Sequence, residues 1–397
     1  MRYLDLFAGA GGFTLGLEEA GLECAGAIEQ DRFACQTYRK NFPEVPLYQR
    51  DIRRFSSREI RRKFQKVDAI VAGPPCQGFS VAGPTQYRIV DTARNSLLLE
   101  VARFASVLKP KLCVIENVKG ILAGRITPHA SAMEKLKAAF ERMGYRVKYE
   151  IVQAADFGVP QSRERVVFFA VLGECPMPAI KRGFGPPGRL WRTVGDAISD
   201  LPDVDNGEGS EDLVPYDKSP TSEYQLLMRR GSRGVTNHVS MHHTARLVER
   251  FKRIPRGGSI LSVPREYGQR LRNGTDLDVR QRFKINNQRL DPDKPSIIVT
   301  ASFQSNFVHP WLNRNLTARE GCRIQSFPDW FSLRGPRTLM SRKLLVREKR
   351  FDEIGLSQYN QIGNAVPPLM AKAIGKAIVK SLQDGESVSQ RVAAKVR

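Results

Sequence analysis

RYLDLFAGAGGFTLGLEEAGLECAGAIEQD, residues 2–31, decides the fold. YLDLFA at 3–8 reads as a strand, and Gly9, Gly11 and Gly12 supply a turn in which the backbone can approach a ligand closely. An amphipathic run around 14–20 then reads as a helix, and ECAGAIE at 23–29 as a second strand. The alternation continues outward, with helices at 31–41, 95–108 and 131–143 and strands in DAIVAG (68–73), LCVIEN (112–117) and RVVFFAVL (165–172). Strand and helix in turn predict an α/β fold, a mostly parallel Rossmann-like sheet with helices on both faces. Regular patterning breaks after Cys175, where GFGPPG (183–188) and an acidic, turn-rich stretch at 202–220 begin a long excursion. It returns with SIIVTAS (296–302) as a strand and NAVPPLMAKAIGKAIVKSL (364–382) as a proline-started helix, after which a polar tail from Gln383 is expected to fray.

Among 397 residues, 63 Lys and Arg stand against 41 Asp and Glu, a net charge of +22. Such a chain suits a polyanionic partner. The charge is uneven: residues 224–290 carry 15 bases and four acids, and residues 331–350 carry seven bases and one acid. Both windows are rich in arginine, whose guanidinium fork matches phosphate oxygens. Binding to such a partner should weaken steeply with salt. The longest apolar stretch, VVFFAVL at 166–172, is far short of the roughly 20 residues that span a bilayer. The N-terminus has no signal-peptide pattern, so the chain is expected in the cytoplasm, with no membrane partner. Six cysteines without a Cys-x-x-Cys pair argue against disulfide scaffolding and zinc, and no metal is expected; His238 and His242 lack the intervening Glu of a zinc helix.

Thr14 stands where the third glycine of a dinucleotide fingerprint would be, so the glycine turn does not call for a pyrophosphate. Glu29, about 20 residues on, and Asp51 end later strands, and the ordered set suits an adenosine-bearing cofactor without a diphosphate. GPPCQGFS (73–80) is the strongest local signal: two prolines stiffen the backbone before Cys76, a way to hold a nucleophile still. Glu116, at the end of a strand in IENV (115–118), is a candidate proton donor kept as an acid by partial burial. In QSRER (161–165), Arg163 and Arg165 are suited to a carbonyl oxygen and a phosphate.

In this order the blocks DLFAGAGGFTLGL, AIEQD, DI, GPPCQGFS, ENV, QSRERVVFFAV, LTAREGCRIQSFPDWF (316–331) and QIGNAVPP (361–368) resemble the cytosine-5 DNA methyltransferases, in particular those of bacterial type II restriction–modification systems. The resemblance spans about 360 residues. It implies S-adenosyl-L-methionine as methyl donor and S-adenosyl-L-homocysteine as product. Cofactor contacts are implied at Asp5, Phe7, Ala8, Gly9, Gly11, Gly12, Glu29, Asp51, Ile52, Pro74, Asn364 and Val366, and catalytic roles at Cys76, Glu116, Arg163 and Arg165. It divides the chain into a catalytic, donor-binding domain (1–175), a smaller basic target-recognition domain with a basic insert (176–355) and a C-terminal segment (356–397) returning to the first. It further implies double-stranded DNA as substrate, a flipped cytosine, a monomer, and a cognate restriction endonuclease that shares the target site without binding. Gln30 stands where relatives often carry an aromatic for stacking on adenine, leaving Phe7 or Ile52 to supply that surface. A transfer-RNA substrate, as in some relatives, stays open, though their Cys-Phe-Thr signature is missing from SIIVTASFQ.

Overall fold

The computed structural model describes residues 1–75, 92–122, 125–127, 130–268, 286–338 and 342–396. They form two compact units: Met1–Phe157 with Glu164–Gly183 and Val366–Arg397, and Gly158–Arg163 with Phe184–Ala365. The expected limits at 175/176 and 355/356 thus stand beside observed ones at 183/184 and 365/366.

The first unit is built on a seven-stranded sheet. Its strands are β1 (Arg2–Leu6), β2 (Glu23–Glu29), β3 (Leu47–Gln49), β4 (Ala69–Ala72), β5 (Leu112–Val118), β6 (Arg146–Gln153) and β7 (Glu164–Val171). They lie in the order β3-β2-β1-β4-β5-β7-β6. All neighbouring pairs from β3 to β5 are parallel, whereas β7 runs antiparallel to both β5 and β6. The interior strands read as continuous apolar runs because both faces are covered. The helices are α1 (Gly12–Glu18), α2 (Arg32–Asn41), α3 (Ser57–Lys63), α4 (Thr92–Leu108) and α5 (Ala132–Arg142). Ser56 and Ser131 start α3 and α5 with capping boxes closed by Glu59 and Glu134. Leu4, Leu6, Ile28, Ile70, Phe104, Phe140 and Phe168 belong to one continuous core.

Chain order reverses at β1, which has β2 on one side and β4 on the other. In such sheets ligands bind beyond the carboxyl ends of the strands at this point. The antiparallel β7 adds to the same edge: Arg165, near its start, pairs with Val118 at the end of β5.

Two expectations are corrected here. SIIVTAS is not a strand: apart from a single bridge from Ser296 to Gln161 the segment is irregular. Its backbone is satisfied by side chains instead, Val299 donating to Gln161 Oε1 at 2.9 Å and accepting from Arg163 Nη1 at 2.9 Å. The polar tail does not fray at Gln383, because the C-terminal helix runs from Pro368 to Val396. Lys111 pairs with Glu386 at 3.0 Å and Ser381 donates to Pro176 O at 2.5 Å, holding that extension against the sheet unit. The edge strand β6, in which charged and apolar residues alternate, is additional to the expected strands, and the short β3 leads to Asp51, where a strand end was expected.

The second unit consists of short helices and two-residue ladders around an unusually charged interior. Its helices include α6 (Val194–Ile198), α7 (Glu223–Arg229), α8 (Ala245–Arg253) and α9 (Ala318–Ile324). The LTAREGCRIQSFPDWF block supplies the centre. Arg323 is fully buried between Asp329, at 2.6 Å, and Asp200, at 3.1 Å. Arg314 forms a two-pronged pair with Glu320 at 2.7 and 3.0 Å. Cys322 and His238 are buried there too, the histidine ring bonded to Thr317 Oγ1 and Pro202 O. Among the described residues no His, Cys, Asp and Glu cluster could hold a metal, and no helix is long and apolar enough to cross a membrane.

Candidate active site

The glycine turn after β1 is pinned to the end of β2. Ala8 N donates to Ile28 O at 3.0 Å, and Gly9 N to Glu29 Oε2 at 2.9 Å. Glu29 Oε1 accepts from Gln30 N and Asp31 N, so one carboxylate receives three backbone N–H groups. Burial pushes this carboxyl up, and the three donors oppose the shift. Carboxylate oxygens have about four lone-pair sites, so Glu29 retains accepting capacity for a hydroxyl. Gly9 has φ 56°, and a Cβ added there would meet nothing within 4 Å, which leaves an open cradle over the loop. Gly11 (φ 98°) is fixed for the opposite reason, because a Cβ would lie 2.3 Å from the Phe42 ring. Phe7 also has positive φ, 63°, at the strand's exit.

Asp5 lies beneath the turn, fully buried. Oδ2 accepts from Thr14 Oγ1 at 2.8 Å, Thr14 Oγ1 is also 2.8 Å from Tyr38 Oη, and Oδ1 has no hydrogen-bond partner. Burial raises the carboxyl to about 7, against the hydrogen bond from Thr14. Asp51 caps a short turn and is gripped by Arg53, with Nη2 to Oδ2 at 2.6 Å, which holds its carboxyl below the usual range. Ile52 is 3% exposed and belongs to the core, whereas Phe7 keeps part of its surface. Of the two candidates for an adenine platform, Phe7 is the one with surface to offer. An open glycine cradle, a carboxylate with spare lone pairs and an unpartnered buried carboxylate oxygen together fit a ligand carrying hydroxyls and positive charge.

The second group of residues gathers where β4 ends. Glu116 and Arg165 form a buried ion pair, Oε1 to Nε at 2.8 Å. Desolvation draws the guanidinium down while the carboxylate holds it up. The carboxyl expected to be kept as an acid by burial therefore has a guanidinium as its neighbour. A Cβ at Gly73 would lie 4.0 Å from Glu116 Oε2 and 3.8 Å from Val366 Cγ2. Pro74 is buried and accepts from Asn117 Nδ2 at 3.2 Å. Cys76 lies outside the described residues. The other five cysteines are buried and unpaired.

Arg163 belongs to the second unit and turns inward. Its guanidinium donates to Val299 O (2.9 Å), Gly363 O (3.0 Å) and Ala365 O (3.3 Å), at 3% exposure. Asn364, in the same unit, is exposed. The structure therefore brings together Asp5, Ala8, Gly9, Gly11, Gly12 and Glu29 at one loop and Pro74, Glu116, Arg165 and Val366 at another, with Arg163 engaged elsewhere. Thr14, Tyr38 and Asn117 were not among the expected site residues. Asn117 had a signal, since it directly follows Glu116 in the ENV block.

A sheet with this order and these edge residues defines the Rossmann-like methyltransferase class. A family model described as C-5 cytosine-specific DNA methylase matches residues 1–380, and the chain belongs to that family: it is a DNA methyltransferase acting on carbon 5 of cytosine. Type II methyltransferase M.DdeI of Desulfomicrobium norvegicum is 43% identical over 382 residues, covering 95% of this chain and 88% of that protein. Type II methyltransferase M1.HphI of Haemophilus parahaemolyticus is 35% identical over 386 residues, 96% and 87% of the two. In fold, the chain is similar to a structure described as a DNA modification methyltransferase encoded within an E. coli prophage, with a TM-score of 0.70 over 96% of this chain and 99% of that one, at 24% identity.

Proposed function

We propose that the protein methylates one cytosine within a specific duplex sequence, with S-adenosylmethionine as donor, as the modification enzyme of a type II restriction–modification system. The observation that carries this reading is the buried Glu116–Arg165 pair beside Gly73 and Pro74, directly before Cys76. When bound, the donor supplies a sulfonium methyl group to the target carbon. Gly9, Gly11 and Gly12 would let it approach the backbone, Glu29 would accept from its ribose, Asp5 would face its positive charge, and Asp51, Phe7, Ala8, Pro74 and Val366 would complete the pocket.

Carbon 5 of cytosine is too weak a nucleophile to take a methyl group unaided. Cys76 thiolate adds to carbon 6, and its electron pair becomes the new C–S bond. Glu116, as the acid, donates its proton to ring nitrogen 3 and recovers it when the ring is restored, and Arg165 binds the base's carbonyl oxygen while keeping Glu116 in place. Carbon 5 is thereby made electron-rich. Once it carries the methyl group, loss of its proton and expulsion of the Cys76 thiolate restore the aromatic ring and the enzyme. Because carbons 5 and 6 are shielded inside the stack, the base must be flipped, at a cost of a few kcal/mol. Basic residues of the second unit, read here as the target-recognition domain, offset that cost by gripping phosphates. One catalytic set and one recognition unit require no second subunit, and a companion endonuclease would share the site rather than bind. A cytoplasmic enzyme with access to host DNA completes the proposal.

Incubation with tritiated donor and duplex DNA tests it. Label is expected at carbon 5 of cytosine, and Cys76→Ser should reduce turnover by at least about a thousandfold. Label retained by that variant would defeat the proposed chemistry.

A further inference from the structure

We infer that Asn117 is a positioning residue for the nucleophile, acting through Pro74; the inference rests on the reading of Cys76 above. The segment leaving β4 is Gly73-Pro74-Pro75-Cys76. Prolines carry no N–H, so Pro74 and Pro75 can be fastened only through their carbonyls or by packing. Gly73 N reaches Leu6 O at 3.4 Å, and Pro74 O accepts from Asn117 Nδ2 at 3.2 Å. Among the described residues these are the hydrogen bonds that anchor the exit.

The orientation of the Asn117 amide is fixed. Oδ1 accepts from Val118 N at 2.8 Å, which leaves Nδ2 for the proline carbonyl. The side chain is 5% exposed, so water does not compete for the bond. Successive side chains of a strand point to opposite faces. Glu116 and Asn117 therefore divide the end of β5: one presents a carboxylate beside Gly73, the other ties down Pro74 two residues before Cys76. A donor at position 117 thus fixes the chain leading to Cys76 on the strand that also carries Glu116.

Two variants separate this role from a structural one. Asn117→Asp keeps the volume and the acceptor for Val118 N, but sets a carboxylate oxygen against the Pro74 carbonyl; Asn117→Ala removes the tether without adding charge. In the full-length enzyme, the rate of covalent trapping on duplex DNA carrying 5-fluorocytosine should fall about 10- to 100-fold in both, because small misplacements of a reacting group cost rates of this order. KM for DNA and for S-adenosylmethionine should stay within about threefold of wild type while kcat falls. Trapping at the wild-type rate in both variants would overturn the inference. So would a uniform loss of trapping, DNA binding and melting temperature, which marks a folding role. Cys76→Ser in the same assay distinguishes the premise: if it still forms the adduct, the nucleophile is misassigned and the tether falls with it.

Discussion

Asp5 illustrates what a single residue can be asked to do. A carboxyl raised to about 7 from 3.8 binds its proton more tightly in the folded chain than in the unfolded one. Between about pH 4 and 7 the unfolded state therefore ionises first, and Asp5 costs stability increasingly as pH rises through that window. At 1.36 kcal/mol per unit the cost approaches about 4 kcal/mol above pH 7, an upper figure. Asp5→Asn should flatten that part of the stability profile, seen as a urea midpoint that no longer declines from pH 4 to 7; an unchanged slope would show that Asp5 is not the responsible group. At this scale Glu116 and Arg165 could be singled out as candidates because each sits in a short block whose chemistry is local, and the structure pairs them. The inward turn of Arg163 was not, since its acceptors lie 136 to 202 residues further along the chain.

Among the elements, the pair formed by α1 and the C-terminal helix sets the tightest constraint. A Cβ at Gly16 would lie 2.3 Å from Pro368 O and 2.5 Å from the Ala371 Cβ. One at Gly375 would lie 2.7 Å from the Ala20 Cβ. Two glycines thus let the helices approach at backbone distance, which explains the small residues between 371 and 377. Since α1 follows the glycine turn directly, the packing also steadies that turn. Gly16→Val should lower stability by roughly 1–3 kcal/mol through overpacking, measured as a shift in denaturant midpoint with unchanged m-value; no shift would mean the helices separate freely. Strands β1, β2, β4, β5 and β7 were legible from their apolar runs. β6 was not, because as an edge strand it exposes Tyr149 and Ile151 and interleaves charge. SIIVTAS misled for the converse reason: it is apolar and β-branched, but side chains from Gln161 and Arg163 take the places of neighbouring strands.

For the whole molecule, a charge of +22 and a sheet with a glycine-turn edge point in one direction. The two basic windows lie at 224–290 and 331–350, within the span of the second unit, while the glycine turn and the Glu116–Arg165 pair belong to the first. The proposed function thus gives catalysis and the grip on a polyanion to different stretches of chain. The arginines at the centre of the second unit are spent internally on Asp200, Glu320 and Asp329, so net charge alone did not say which bases face outward. The ordered blocks made the family legible; which bases the second unit reads was not, because groove contacts depend on the placement of a few side chains. Bisulfite sequencing of DNA from a host expressing this chain alone tests the central claim most directly. Cytosines protected at one recurring short sequence, and unprotected when Cys76→Ser is expressed, are the predicted result; DNA with no protected cytosine from a host making the intact protein would contradict it.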